Sequence, residues 1–317
     1  MKRAFVFPGQ GSQAPGMGKA LAEAFGTARH VFEEVDDALG QRLSRLMFEG
    51  SESELTLTEN AQPALLAVSM AVIRVIEEEA GFDTARQLTY VAGHSMGEYS
   101  ALTAAGALTV SDAARLLRRR GRAMQEAVPV GEGAMAALLG IDLDAARDTA
   151  AEAARTEGNG AVCAVANDNG PGQIVISGHR GAVERAVAFA AERGARRSIL
   201  LPVSAPFHCS LMAPAATIMA EALGEVAIES ARVPLVANVT AAPVADPKEI
   251  KRLLVEQVTA MVRWRESVEL FRTREIDQVV EIGAGKVLAG LVRRIDRELA
   301  VFSVGTPAEI DQFVNRL

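Results

Sequence analysis

The chain has 317 residues, 49% hydrophobic and 23% charged, with a formal net charge of −7. That length can bury a large core and divide into two lobes, and the composition is that of a folded protein rather than a disordered one. The acidic balance argues against a nucleic-acid binder, because no domain-wide basic excess is present.

The chain opens with a predicted strand, Arg3 to Phe7, followed by Pro8-Gly9-Gln10-Gly11-Ser12-Gln13. Helical periodicity follows at 18–25, 30–39 and 41–48, and again over 63–79 with Asn60 or Gln62 near its start. A short buried strand over 88–92 leads into Gly93-His94-Ser95-Met96-Gly97-Glu98, and an alanine-rich helix is expected after it, over 99–105. Ser111-Asp112 suits the start of a helix running to Ala127.

The character changes at Val128-Pro129-Val130-Gly131-Glu132-Gly133. The pattern then predicts a strand at 134–139, a helix at 144–156, strands at 162–165 and 173–176, a helix at 181–192 and a strand at 197–201. That order, β-α-β-β-α-β, is the ferredoxin-like split unit. The expected fold class is therefore α/β: a hydrolase-like body with a mainly parallel sheet, carrying an inserted ferredoxin-like subdomain. The body is expected to span 1–130 and 204–317, and the insertion 131–203. The body resumes with helices, strands at 235–238, 278–282 and 300–304, and a short terminal helix.

Cys163 and Cys209 are too few for a disulfide framework or a zinc site and are expected to pack as small apolar residues; no metal site is expected. Lys2-Arg3 precedes only a short apolar run before Pro8, so no signal peptide is expected. The apolar stretch 64–76 is interrupted by Arg74 and falls short of a membrane span. A cytoplasmic, monomeric protein without membrane contact follows as the expectation. Asn238-Val239-Thr240 fits a glycosylation sequon, which means nothing without export.

Gly93, Ser95 and Gly97 form a G-x-S-x-G pattern at a strand-to-helix junction. Small flanking residues let the chain turn sharply, lift the serine hydroxyl clear and aim the next N–H at a developing oxyanion. A nucleophilic serine needs a base, and the chain has four histidines. His30 lies on an amphipathic helix. His94 adjoins Ser95, where side chains diverge. His179 falls on the inserted unit. His208, after Ala205-Pro206-Phe207, sits where the chain returns to the body, and a junction loop can reach a cleft between lobes; it is favoured over His179. No histidine follows His208, unlike the Ser–acid–late His order of ordinary α/β-hydrolases.

Gly9-x-Gly11-x-x-Ala14 after a strand offers a competing dinucleotide fingerprint. Pro15 follows it at once, Glu33 and Glu34 sit in a helical pattern rather than at a strand end, and the serine turn would be left without a role. Gly283-Ala284-Gly285-Lys286 lacks the spacing of a phosphate-binding P-loop. Arg118-Arg119-Arg120, read alone, is a solvated helix face.

Taken together, Phe5 to Gln13, Asn60 to Leu65, Gly93 to Glu98, Arg120 to Gln125, Ala205 to His208, Asn238 to Thr240 and Glu281 to Leu288 resemble, in that order, the blocks of the malonyl-CoA:acyl carrier protein transacylases of fatty-acid synthesis, which are related to polyketide acyltransferase domains. Each block is weak alone; the ordered set is specific and covers nearly the whole chain. The resemblance implies Ser95 as nucleophile and His208 as base. It implies oxyanion donors at the N–H groups of Gln10 and Met96, with Arg120 binding the malonyl carboxylate. Gln257 then orients the histidine through its main-chain carbonyl, and Phe207 and Gln62 belong to the substrate pocket. Met96 stands where leucine is common, and Ala284 where proline is frequent.

The implied partners are malonyl-CoA and acyl carrier protein, whose phosphopantetheine brings the accepting thiol; no cofactor of the chain's own is expected. Three alternatives stay open at this level: a stand-alone acyltransferase of a polyketide pathway with the same residues, a thioesterase-like serine hydrolase, and a binding protein that has lost activity.

Overall fold

In the computed structural model, which describes residues 1–203 and 205–317, two sheets organise the chain. The strands are β1 (Arg3–Phe7), β2 (Tyr90–Gly93), β3 (Gly133–Leu139), β4 (Cys163–Asp168), β5 (Gln173–His179), β6 (Arg197–Leu200), β7 (Leu235–Ala237), β8 (Ala242–Val244), β9 (Gln278–Ile282) and β10 (Ala300–Val304).

The larger sheet has the order β10-β9-β1-β2-β7-β8 and is parallel except for β8, which pairs antiparallel with β7 at one edge. Strand β1 lies inside it and is buried along its length. Successive residues of a strand face opposite ways. Phe5 and Phe7 accordingly enter one core, where Phe5 stacks on Phe82 at 5.4 Å, while Ala4 and Val6 enter the other, with Trp264 and Phe271. A strand buried on both faces reads as a continuous apolar run.

The smaller sheet, β4-β5-β3-β6, is antiparallel throughout. Helices Leu143–Glu157 and Arg180–Glu192 pack on one face through Ala146, Ala150, Ala153, Ala182, Ala186 and Ala190, whose small side chains allow close approach. Its other face carries Met135 and Val175 into the body's core. The smaller sheet is also stitched to the body by backbone: Val262 N–H donates to Ala166 at 2.9 Å and Asp168 N–H to Val262 at 2.9 Å. The expected element order over 134–201 is present with bounds shifted by up to three residues, the two middle strands running on to Asp168 and His179. The expected return point, Ser204, lies outside the described residues.

Three local expectations are corrected. The helix expected from Pro63 runs Thr58–Ala80, with Pro63 inside it and Asn60 and Gln62 within its first turns. The helix expected to begin at Ser111 is Val110–Glu126; Thr109 is its cap, accepting from Asp112 N–H, and the Ser111 hydroxyl donates to Glu34 instead. The expected solvated run 118–120 has only Arg119 partly exposed: Arg118 is buried and Arg120 is 1% exposed. Among the described residues, no helix is long and apolar enough to cross a membrane.

Candidate active site

The C-terminal ends of β1 and β2 lie side by side, Phe7 opposite Gly93. Beyond Gly93 the chain reverses into helix Gly97–Ala104, with Ser95 at φ 52°. A non-glycine residue in this left-handed region is strained by roughly 1–3 kcal/mol and is held there only by its surroundings. The glycines are steric requirements. A Cβ on Gly93 would lie 1.9 Å from the Gly97 carbonyl carbon, and one on Gly97 would lie 2.3 Å from the Phe7 carbonyl oxygen. The expected serine elbow is therefore present.

Ser95 Oγ lies 2.7 Å from His208 Nε2. His208 Nδ1 faces two carbonyl oxygens, Gln257 at 2.9 Å and Ala260 at 3.1 Å. Carbonyls only accept, so the ring proton resides on Nδ1 and Nε2 is left to accept from the serine. Burial, reinforced by the positive charge of Arg120, pushes the His208 pKa down to about 3, so the imidazole is neutral at ordinary pH. Among the described residues no acid completes the pair; the two main-chain carbonyls orient the ring.

Arg120 reaches the same point from helix Val110–Glu126. Its Nη2 donates to Ser95 Oγ at 3.0 Å and to Gln257 Oε1 at 2.9 Å, and its Nη1 donates to Gln62 Oε1 at 3.0 Å. Gly121 makes this possible: a Cβ there would come within 2.6 Å of the Thr58 carbonyl oxygen, so only glycine lets the helix approach Thr58–Ala80 closely enough to set Arg120 beside Gln62. Burial lowers the Arg120 pKa. Among the described residues no carboxylate forms an ion pair with it, and its Nε has no partner.

These side chains open on a cavity of about 410 Å³. Gln10, Gln62, Met96 and Phe207 line it with Ser95, Arg120 and His208. Among the described residues, the N–H groups of Gln10 and Met96 have no acceptor, while the Gln10 side chain is tied to Thr58 at 3.3 Å. Gln257 lies behind the cavity wall, fully buried. Ser95, His208, Gln257, Gln10, Met96, Arg120, Phe207 and Gln62 are thus within this one assembly. His179 is not: it stands at the N-terminal boundary of helix Arg180–Glu192 and its Nδ1 accepts from Val162 N–H at 2.8 Å. His30 is exposed on its helix. His94 lines the cavity, but its Nε2 meets Asn169 Oδ1 at 2.8 Å rather than Ser95.

Two residues of the assembly were not singled out. Asn238, read above only within a sequon and a block, accepts from Ser95 N–H at 2.7 Å and donates to the Gly93 carbonyl at 2.7 Å. Glu98 is 1% exposed and accepts from Asn238 N–H and from Gln257 Nε2. Burial raises its pKa to about 8, against the pull of those two donors and of Arg120. A single acid in a helix otherwise buried on all sides was the available signal.

The acyl transferase domain model matches residues 4–306. The malonyl CoA-acyl carrier protein transacylase of Bacillus subtilis (strain 168) is 47% identical over 316 residues, covering 100% of this chain and 97% of the relative. Among solved structures, the acyl-carrier-protein-S-malonyltransferase of Bartonella henselae is 55% identical with a TM-score of 0.96, covering 100% of this chain and 99% of that one. A malonyl-transacylase solved in complex with its type II polyketide acyl-carrier protein is 40% identical with a TM-score of 0.95, covering 100% of both chains. The Ser95–His208 pair, the buried arginine and these full-length matches give one conclusion: the chain belongs to the acyl transferase family, among the malonyl CoA-acyl carrier protein transacylases.

Proposed function

We infer that the protein transfers the malonyl group from malonyl-CoA to the phosphopantetheine thiol of acyl carrier protein, in fatty-acid synthesis, through a malonyl-Ser95 ester. The observation that carries this reading is Arg120: a buried guanidinium, without a carboxylate of its own, contacting the nucleophile. A carboxylate entering a water-poor cavity needs such a partner, and guanidinium meets it with two parallel N–H donors.

In this mechanism Ser95 Oγ attacks the thioester carbonyl while His208 Nε2 takes its proton. The negative charge forming on the carbonyl oxygen rests on the N–H groups of Gln10 and Met96, and Gly11, at φ 104°, lets the backbone turn toward the reacting carbon. The C–S bond breaks, and His208 returns the proton to the departing CoA sulfur. The carrier thiol then gives its proton to His208 and attacks the ester carbonyl. Collapse of the second intermediate breaks the C–O bond and restores the Ser95 hydroxyl from His208. The cycle needs no metal or bound cofactor, and a cytoplasmic monomer completes the reading.

A second reading, the same transfer to a polyketide carrier, is favoured by the relative solved with such a carrier. Intact-mass measurement separates the readings. After malonyl-CoA the wild type should gain one malonyl group, and Ser95→Ala none. Addition of holo carrier protein should move the mass to the carrier; rapid loss to water would instead indicate a hydrolase. Matched rates with fatty-acid and polyketide carriers identify the acceptor.

A further inference from the structure

We propose that Glu98 is a positioning residue for acyl transfer, its two carboxyl oxygens holding Gln257 and Asn238 where these brace Ser95 and fix the carbonyl that orients His208. This rests on the reading of Ser95 and His208 as the reacting pair. The contacts form a closed path. Asn238 N–H and Gln257 Nε2 both donate to Glu98, one to each oxygen. Asn238 Oδ1 takes the Ser95 N–H at 2.7 Å, and its Nδ2 ties the Gly93 carbonyl at 2.7 Å. Gln257 Nε2 also reaches the Ser95 carbonyl at 2.9 Å, so both peptide groups of the strained serine are held. The Gln257 main-chain oxygen meets His208 Nδ1, and its Oε1 meets Arg120 Nη2.

Glu98 therefore touches neither reacting atom yet anchors both residues that place them. Its position in the chain strengthens the case: Glu98 lies on the first turn of the elbow helix, so it moves as one body with Ser95, whereas Asn238 and Gln257 arrive from segments far along the chain. A carboxyl group suits the task because both incoming groups are donors and each of its oxygens keeps a lone pair whether or not the group is ionised; an amide in its place meets one of them with its own N–H.

The test is single-turnover formation of malonyl-serine, followed by quenched-flow mass spectrometry and normalised to sites titrated at completion, in wild type, Glu98→Gln, Glu98→Asp and Ser95→Ala. Misplacement of a nucleophile or base by about 1 Å costs roughly a hundredfold in rate. Glu98→Gln should lose on that order per titrated site, with the KM for malonyl-CoA changed far less, and Glu98→Asp should recover part of the loss. A merely structural role would reduce the number of titratable sites and the Tm while leaving the rate per site alone, and that result overturns the proposal. If Glu98→Gln does not fold, Gln257→Leu removes the same contact from its other end; a wild-type rate per site there is equally fatal. A malonyl adduct on Ser95→Ala would instead remove the reading of the site itself.

Discussion

Arg120 Nη2 lies 3.0 Å from Ser95 Oγ, so a single guanidinium contacts the nucleophile and, through Nη1, the side chain of Gln62. A substrate carboxylate taken up by Arg120 is therefore delivered beside the attacking oxygen. Arg120→Ala should lose malonyl transfer while the Ser95–His208 contact survives, and acetyl-CoA should then compete far better. Arg120→Lys should not restore the ratio, since an ammonium cannot present the two-pronged donor set. Arg119→Ala removes only exposed pairs with Glu221 and Glu225 and should leave acyl choice unchanged. The check is kcat/KM for both acyl-CoAs; an unaltered ratio in Arg120→Ala would place the carboxylate elsewhere.

His208 and His179 divide cleanly. His208→Ala removes the only imidazole in contact with Ser95 among the described residues and should slow acylation by about 10²–10⁴-fold, the usual worth of a positioned general base. His179→Ala should leave the rate per active site intact. Its Nδ1 accepts one backbone N–H, so the loss is of stability, about 1 kcal/mol. Stopped-flow acylation and urea unfolding of both variants test this, and the reverse ranking would show that the wrong base has been chosen.

The pKa of His208 is depressed to about 3 in the folded chain, against about 6.5 for an unperturbed imidazole. Below that upper value the unfolded chain takes up a proton that the folded chain refuses, so acid favours unfolding. The stability associated with the neutral ring is fully present above about pH 6.5 and is lost progressively as pH falls toward 3, at up to about 1.4 kcal/mol per pH unit. Urea unfolding across this range should show a shallower acid loss in His208→Gln than in the wild type. Parallel curves would mean that the ring titrates normally.

Phe207 lines the cavity immediately before His208 and is 8% exposed. Its ring should limit space beside the acyl C2 atom. Malonyl-CoA should be preferred to methylmalonyl-CoA, and Phe207→Ser should narrow the preference by about 10–200-fold, the range available to one methyl group. Equal kcat/KM for the two substrates in the wild type would reject the steric account.

Much of the fold was legible because its signals are local. The G-x-S-x-G turn, the apolar run of β1 and the six elements between Gly133 and Leu200 depend on spacing and glycine placement within a few residues. The resemblance carried Gln10, Gln62, Arg120, Phe207 and Gln257, none of which had a physical signal of its own in the sequence; the N–H of Met96 was signalled by the serine turn as well. Arg118, Arg119 and Arg120 show why. Successive residues of a helix point about a hundred degrees apart, so the run must send its members in different directions. Periodicity allowed for that, but which arginine turns inward is set by Gly121 closing on Thr58, a contact between two helices. The Glu98–Asn238–Gln257 network was invisible for the same reason: its members are brought together by packing across segments distant in the chain, where side-chain donors and acceptors must be satisfied because no water reaches them. The sequence by itself determined the turn that presents Ser95; only the tertiary structure decided what surrounds that hydroxyl, because burial and hydrogen-bond partnership are properties of the assembled core.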